Sequence, residues 1–158
     1  MSLTSMLALG KDLDRQAVTD GSTSLSRQEL FGAASDLATR LQSMVNSTAR
    51  VGVRTPLGVQ GLVDVLGCLL STRSTALLPT DGLGSEQPQE IARSVRCQAV
   101  VTNGKLEGVS LTNGDVDRYT THGLGPQDSP ERLVLFTSGT ASQPKGVRLS
   151  EANLLTHL

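Results

Sequence analysis

The sequence predicts an α/β fold: a mostly parallel, doubly wound sheet with flanking helices. Two patterns carry that expectation. Short apolar or β-branched runs alternate along the chain with stretches of helical periodicity, the arrangement that joins parallel strands through crossover helices. In addition, the apolar run Leu133 to Phe136 feeds directly into small hydroxyl and glycine residues. A ligand-binding turn follows the carboxyl end of a strand in this way in open α/β sheets.

The first element is a hairpin, with Ala17-Val18-Thr19 and Thr23-Ser24-Leu25 flanking the turn residues Asp20-Gly21-Ser22. Ser26-Arg27-Gln28-Glu29 reads as a capping box, in which serine and glutamate satisfy two backbone N–H groups at a helix start. Behind it Leu30, Ala33, Ala34, Leu37, Leu41, Met44 and Val45 fall on one helical face, and Asn46-Ser47-Thr48 ends the helix. Arg50 to Arg54 alternates around Val51 and Val53 as a short strand. After Thr55-Pro56 a second helix places Val59, Leu62, Val63, Leu66, Leu69 and Leu70 at helical spacing. Asp64 is its only charge before Arg73, so burial on most sides is expected.

Thr75 to Leu78 reads as a strand stopped by Pro79, Glu86 to Arg96 as an amphipathic helix, and Gln98 to Thr102 as a further strand. Asn103 to Pro130 is rich in Gly, Thr and Asp and predicts loop with one or two short edge strands, with weak alternation at Val109-Ser110-Leu111. The strand into the hydroxyl-rich run follows, then a short strand at Val147 to Leu149 and a helix opening at Ser150. Gly82-Leu83-Gly84 lies between a strand and a helix, but it lacks the third glycine of a dinucleotide fingerprint and reads as a turn.

A chain of 158 residues with 37% hydrophobic and 18% charged residues suits one soluble domain with a real core. Net charge is −1, aromatic content is 2% and there is no basic run, which argues against nucleic acid as a partner. Cys68 and Cys97 lack CxxC spacing, and His122 and His157 are isolated, so no metal site is expected. The apolar run Met6 to Leu9 is too short for a signal sequence, and no stretch reaches membrane-spanning length. The Asn46-Ser47-Thr48 sequon carries no weight without such a signal, and the expected compartment is the cytoplasm.

The chemistry concentrates in Leu135-Phe136-Thr137-Ser138-Gly139-Thr140-Ala141-Ser142-Gln143-Pro144-Lys145-Gly146-Val147. Glycine lets backbone N–H groups turn toward an anion, and the hydroxyls of Thr137, Ser138 and Thr140 add donors. Lys145, one of three lysines in the chain, supplies a compact positive charge suited to phosphate. A Walker A loop is disfavoured by Pro144 at the second glycine position and Gly146 at the magnesium-holding hydroxyl. Ser142-x-x-Lys145 has the spacing of an acylase nucleophile and its base, but Pro144 opposes the helical turn that pair requires.

The run resembles the signature of the adenylate-forming (AMP-binding) enzymes: acyl-CoA synthetases of the fatty-acid–CoA ligase type, nonribosomal peptide adenylation domains and firefly luciferase. That signature is Thr-Ser-Gly-Ser/Thr-Ser/Thr-Gly-x-Pro-Lys-Gly-Val followed by Ser/Thr-His-x-Asn. Thr137, Ser138, Gly139, Thr140, Pro144, Lys145, Gly146, Val147, Ser150 and Asn153 match it in register. Ala141 replaces a hydroxyl, Ser142 a glycine and Glu151 the histidine. Earlier parts also follow the family's order, at Ser26 to Leu30, Arg50 to Val53 and Leu77 to Asp81, whereas Ser71-Thr72-Arg73-Ser74 departs from its Lys-Ala-Gly-Ala.

The resemblance implies that a carboxylate attacks the α-phosphorus of ATP, releasing pyrophosphate and leaving an acyl-adenylate, whose acyl group a thiol then takes. It implies ATP, Mg2+ and coenzyme A for the parent enzyme and a carboxylic acid as substrate. Thr137, Ser138, Gly139, Thr140, Ala141, Ser142 and Lys145 would form the phosphate-binding loop, with Pro144 and Gly146 shaping its turn. Family members are several times longer, so residues 1–158 are expected to be the N-terminal portion of an adenylation domain, inactive in isolation and without catalytic or metal residues of their own. The helical pattern of Leu154, Leu155 and Leu158 at the last residue agrees with that expectation and predicts self-association of the fragment. Two other readings stay open: a peptide-synthetase adenylation domain serving a carrier-protein thiol, and a non-catalytic, self-associating relative.

Overall fold

The computed structural model describes residues 12–80, 88–115, 117, 120–121, 130–137 and 145–156. A two-stranded hairpin comes first, β1 (Gln16–Thr19) antiparallel to β2 (Ser24–Ser26). Helix α1 (Arg27–Met44) follows directly. Then come β3 (Arg50–Val53), α2 (Val59–Leu70), β4 (Ser74–Leu77), α3 (Pro88–Ser94) and β5 (Cys97–Thr102). The chain continues with β6 (Lys105–Gly108), β7 (Thr120–Thr121), β8 (Glu131–Thr137), β9 (Lys145–Ser150) and α4 (Glu151–Thr156).

Seven strands form one mixed sheet in the order β6-β5-β3-β4-β8-β9-β7. Its centre, β5-β3-β4-β8, is parallel, while β6 and β9 pair antiparallel to β5 and β8. β7 runs parallel to β9. The region from Asn103 to Pro130 therefore supplies two short edge strands, as expected, although at residues 105–108 and 120–121 rather than at Val109 to Leu111.

Helix α1 forms where the capping box predicts. Ser26 Oγ accepts from Glu29 N at 3.3 Å, and Ser26 N donates to Glu29 Oε2 at 2.8 Å. Its buried face is Leu30, Ala34, Leu37, Ala38 and Leu41. Ala33 and Met44, expected on that face, are exposed, and Ala38 is buried instead. The chain leaves the helix at Val45 in extended conformation, so Val45 rather than Met44 turns into the core.

The two sheet faces have separate cores. One joins Leu37 and Leu41 of α1, Cys68 of α2 and Val51, Val53, Ala99 and Val101 of the sheet. The other gathers Ile91, Ala92 and Val95 around Ala76, Leu78, Cys97, Val100 and Val134. The register slips between the pairs Arg50–Cys97 and Val51–Ala99, which lets Cys97 join the face opposite Ala99. Strands buried on both faces read as continuous apolar runs, and Ala99-Val100-Val101 is one.

Helix α2 packs on α1 through a glycine. A Cβ at Gly67 would stand 2.7 Å from Leu37 Cδ2 and 2.9 Å from Leu37 Cβ, so the approach of the two helices requires a residue without a side chain. The buried positions are Val59, Gly61, Val63, Asp64, Gly67 and Cys68. Leu62 is exposed and Leu66, Leu69 and Leu70 are half-buried, which corrects the expectation that the helix is buried on most sides. Small residues occupy the narrow contact because the larger leucines do not fit there.

Both cysteines are buried and free. Burial pushes the Cys68 thiol well above its ordinary range, with the Asp64 charge adding to it. Burial likewise pushes Cys97 up to about 12. Both are packing residues.

Candidate functional site: the hairpin at the carboxyl edge of the sheet

Strand β8 runs parallel to β4 and ends at Thr137, on the carboxyl edge of the parallel strands. β9 returns antiparallel beside it, and Thr137 is the register partner of Lys145. The two ends of the hydroxyl-rich run are therefore held opposite each other by a ladder continuing through Phe136–Gly146, Leu135–Val147 and Val134–Arg148. Ser138, Gly139, Thr140, Ala141, Ser142 and Pro144 lie outside the described residues, as do Gly82 to Gly84, His122 and His157. Of the predicted site residues, Thr137 and Lys145 are placed by their backbone. Gly146 of β9 is buried, with Phe136 of β8 as its register partner on one side and Thr120 of β7 on the other.

The downstream signature residues have a structural role. Ser150 Oγ accepts from Asn153 N at 3.2 Å, and Asn153 Oδ1 accepts from Ser150 N at 3.0 Å. This reciprocal cap starts α4 directly at the end of β9. Glu151, in place of the family's histidine, stands with Oε2 3.8 Å from Arg132 Nε on β8.

A second carboxyl-edge feature surrounds Asp64, which is fully buried. Its carboxylate accepts from Thr55 Oγ1 beyond β3, from Gln60 Nε2 at 2.8 Å, and from Gly104 N at 3.1 Å to each oxygen. Thr55 Oγ1 in turn accepts from Asn103 N at 3.2 Å. Asp64 thus ties the chain leaving β3 to the tight turn between β5 and β6, where Gly104 takes φ 74°. Nearby, Asp20 of the first hairpin accepts from Val59 N at 3.1 Å and caps α2. Hydrogen bonds from Val59, Thr23 and Ser22 hold the Asp20 carboxyl well below the usual carboxylate range.

The opposite, amino edge carries an ion-pair network that sequence reasoning missed. Glu131, at the start of β8, accepts from Arg50 Nε at 2.8 Å and Arg50 Nη2 at 2.9 Å, and also from Ser74 Oγ and Arg148 Nε. One carboxylate thereby links β3, β4, β8 and β9 at their bases. Arg50 Nη1 also donates to Asp117 Oδ2 at 2.8 Å and to the Val95 carbonyl. Burial pushes the Glu131 carboxyl up, but hydrogen bonds from Arg50 and Ser74 and the charges of Arg50 and Arg148 outweigh it, leaving Glu131 below its ordinary value. The unusual Ser71-Thr72-Arg73-Ser74 belongs to the same region. Buried Arg73 donates from Nε and Nη2 to the Val45 carbonyl at 3.2 and 3.1 Å and from Nη1 to the Ser71 carbonyl at 3.2 Å, satisfying acceptors where α1 and α2 end.

Comparison with known proteins fits this geometry. The model of the AMP-binding enzyme family, "AMP-binding enzyme", matches residues 8–158. The chain belongs to the AMP-binding enzyme family. A nonribosomal peptide synthetase, kk1B of Curvularia clavata, is 30% identical over 159 residues, covering 90% of this chain and 1% of that protein. The 2-succinylbenzoate–CoA ligase of Staphylococcus aureus strain MRSA252 is 28% identical over 166 residues, covering 83% of this chain and 33% of the ligase. The ATP-bound structure of MatB from Rhodopseudomonas palustris superposes with a TM-score of 0.73 at 19% identity, over 99% of this chain and 36% of MatB. The chain thus spans about a third or less of each of these three proteins. The α/β fold with flanking helices expected from the sequence is the one the structure has and the one it shares with the solved MatB structure.

Two further observations bound the site. Among the described residues no group of three or more His, Cys, Asp or Glu side chains is placed to hold a metal ion. No described helix is long and apolar enough to cross a membrane.

Proposed function

We propose that this segment supplies the triphosphate-binding hairpin of an ATP-dependent enzyme that activates a carboxylic acid as its acyl-adenylate. The observation that carries the proposal is the pairing of Thr137 with Lys145 at the carboxyl edge of the sheet, in a run matching the family signature. Thr137, Ser138, Gly139 and Thr140 would offer N–H and hydroxyl donors to the β- and γ-phosphates, with Ala141 and Ser142 continuing the loop. Lys145 would supply positive charge at its far end. Charge developing on the departing pyrophosphate would then meet those donors, the kind of electrostatic stabilisation that lowers such barriers.

The acyl acceptor is coenzyme A in the reading we favour, which makes the parent an acyl-CoA synthetase. Similarity to the kk1B synthetase supports a second reading, with a carrier-protein thiol as acceptor. ATP–pyrophosphate exchange by the parent polypeptide across a panel of carboxylic acids tests the adenylation step. Exchange with at least one acid supports it, and none with any acid contradicts it. Adding coenzyme A or a phosphopantetheinylated carrier then separates the two acceptors.

A further inference from the structure

At the amino edge of the sheet, away from the hairpin, a cavity of about 580 Å³ opens beside the Glu131 network. Four guanidinium groups line it, Arg50, Arg96, Arg132 and Arg148, with the carboxylates of Asp117 and Glu131. Arg50 and Arg148 are matched by those two acids. The other two arginines are less well served. The exposed Arg96 side chain has no ion pair or hydrogen bond among the described residues. Arg132 is only 5% exposed; its Nη2 donates to the Leu69 carbonyl at 2.9 Å, while its buried Nε has no hydrogen-bond partner. Glu151 Oε2 stands at 3.8 Å, beyond hydrogen-bonding reach.

Among the described residues, four cations face three carboxylates even with Glu151 included, and the Arg132 Nε–H has no acceptor. An oxyanion entering the cavity would pair with the exposed Arg96 guanidinium at its rim and offset the surplus charge beside Arg132. Arg96 and Thr72 reach the rim from left-handed backbone, φ 55° and 64°, just beyond the ends of α3 and α2. Neutral donors from Ser47, Thr48 and Gln98 complete a lining that suits a polar, oxygen-rich ligand.

We propose that this cavity is a second anion site, separate from the phosphate hairpin, which takes a phosphate or carboxylate group carried on a small polar molecule. Phosphate and carboxylate each offer a guanidinium two oxygens to bind in a fork, so the two sources are separated by probe. The 158-residue chain is titrated with inorganic phosphate and, separately, with acetate, while the arginine Nε–Hε NMR signals are followed. The expected result is a saturable shift of the Arg132 Nε–Hε signal with one of the two, and that probe names the class. Arg96→Ala, a change at an exposed side chain, should weaken this binding about tenfold, and Arg96→Gln should do so as well. Lys145→Ala should leave it unchanged, which separates this site from the proposed function of the hairpin.

The proposal is overturned if neither anion moves the Arg132 signal, or if both move it without saturation, as screening alone would. Unchanged affinity in both Arg96 variants would also overturn it. So would loss of binding in Lys145→Ala, which would assign the anion to the hairpin.

Discussion

Thr137 and Lys145 are cross-strand partners: the last residue of β8 faces the first residue of β9. Phosphate-binding chemistry needs donors held before the ligand arrives, and the antiparallel β8–β9 ladder beside the parallel centre of the sheet fixes both ends of the run. The ladder is anchored at its other end by the Glu131–Arg148 pair and by the Ser150–Asn153 cap.

Because Glu131 joins four strands, its removal should be felt throughout the sheet. Glu131→Ala leaves Arg50 and Arg148 without their shared carboxylate and should cost about 3–5 kcal/mol, the range for breaking a buried pair. Urea unfolding of the variant and the parent chain measures this directly. A loss below about 1 kcal/mol would place the network among ordinary surface ion pairs.

The same carboxylate predicts a pH dependence. Glu131 titrates below its ordinary 4.5 in the folded chain, so the stability it contributes is fully present above that value. It is lost as pH falls through the lower folded pKa. Unfolding midpoints measured from pH 7 down to pH 3 should fall in the acid range. The fall should be shallower in Glu131→Gln, which has no charge to lose.

Much of the fold is legible in local chemistry, and the exceptions have a common cause. The Ser26–Glu29 capping box, the Asp20 turn and the apolar strand at Val51 act over a few residues and can be read from order alone. Which helix face is buried depends on what it packs against. Ala38 outranks Ala33 and Met44, and Val63 and Gly67 outrank Leu62, because two helices approach closely at Gly67 and Leu37. The Glu131 network had no signal in the sequence, since Arg50 and Glu131 are brought together only by the sheet order. Asp64 was visible as the one charge in an apolar helix, but its partners Thr55 and Gly104 come from separate turns. The hairpin was legible as a signature, and its position on the carboxyl edge followed from the strand before it.

The helix faces can be tested in a pair. Leu41→Ala removes a fully buried side chain and should cost about 2–5 kcal/mol, whereas Met44→Ala, at a residue 67% exposed, should change stability by less than about 0.5 kcal/mol. Equal losses at both sites in chemical unfolding would mean that the C-terminal turn of α1 packs differently.

At Gly67 the expectation is a clash relieved from the other side. Gly67→Ala should destabilise by about 1–3 kcal/mol through overpacking against Leu37. Adding Leu37→Ala should cost less in that background than alone, because the new methyl group occupies part of the space. Strict additivity in the double-mutant cycle would place the two residues out of contact.

The most direct test of the central claim follows the backbone amides of the chain by NMR during titration with ATP. If the hairpin is a triphosphate site, the largest shifts fall at Thr137 to Gly146, saturate, and weaken strongly in Lys145→Ala while the unfolding midpoint of that variant stays close to that of the parent chain. Saturable shifts confined to other parts of the sheet, or shifts at the hairpin that Lys145→Ala leaves intact, would contradict the account.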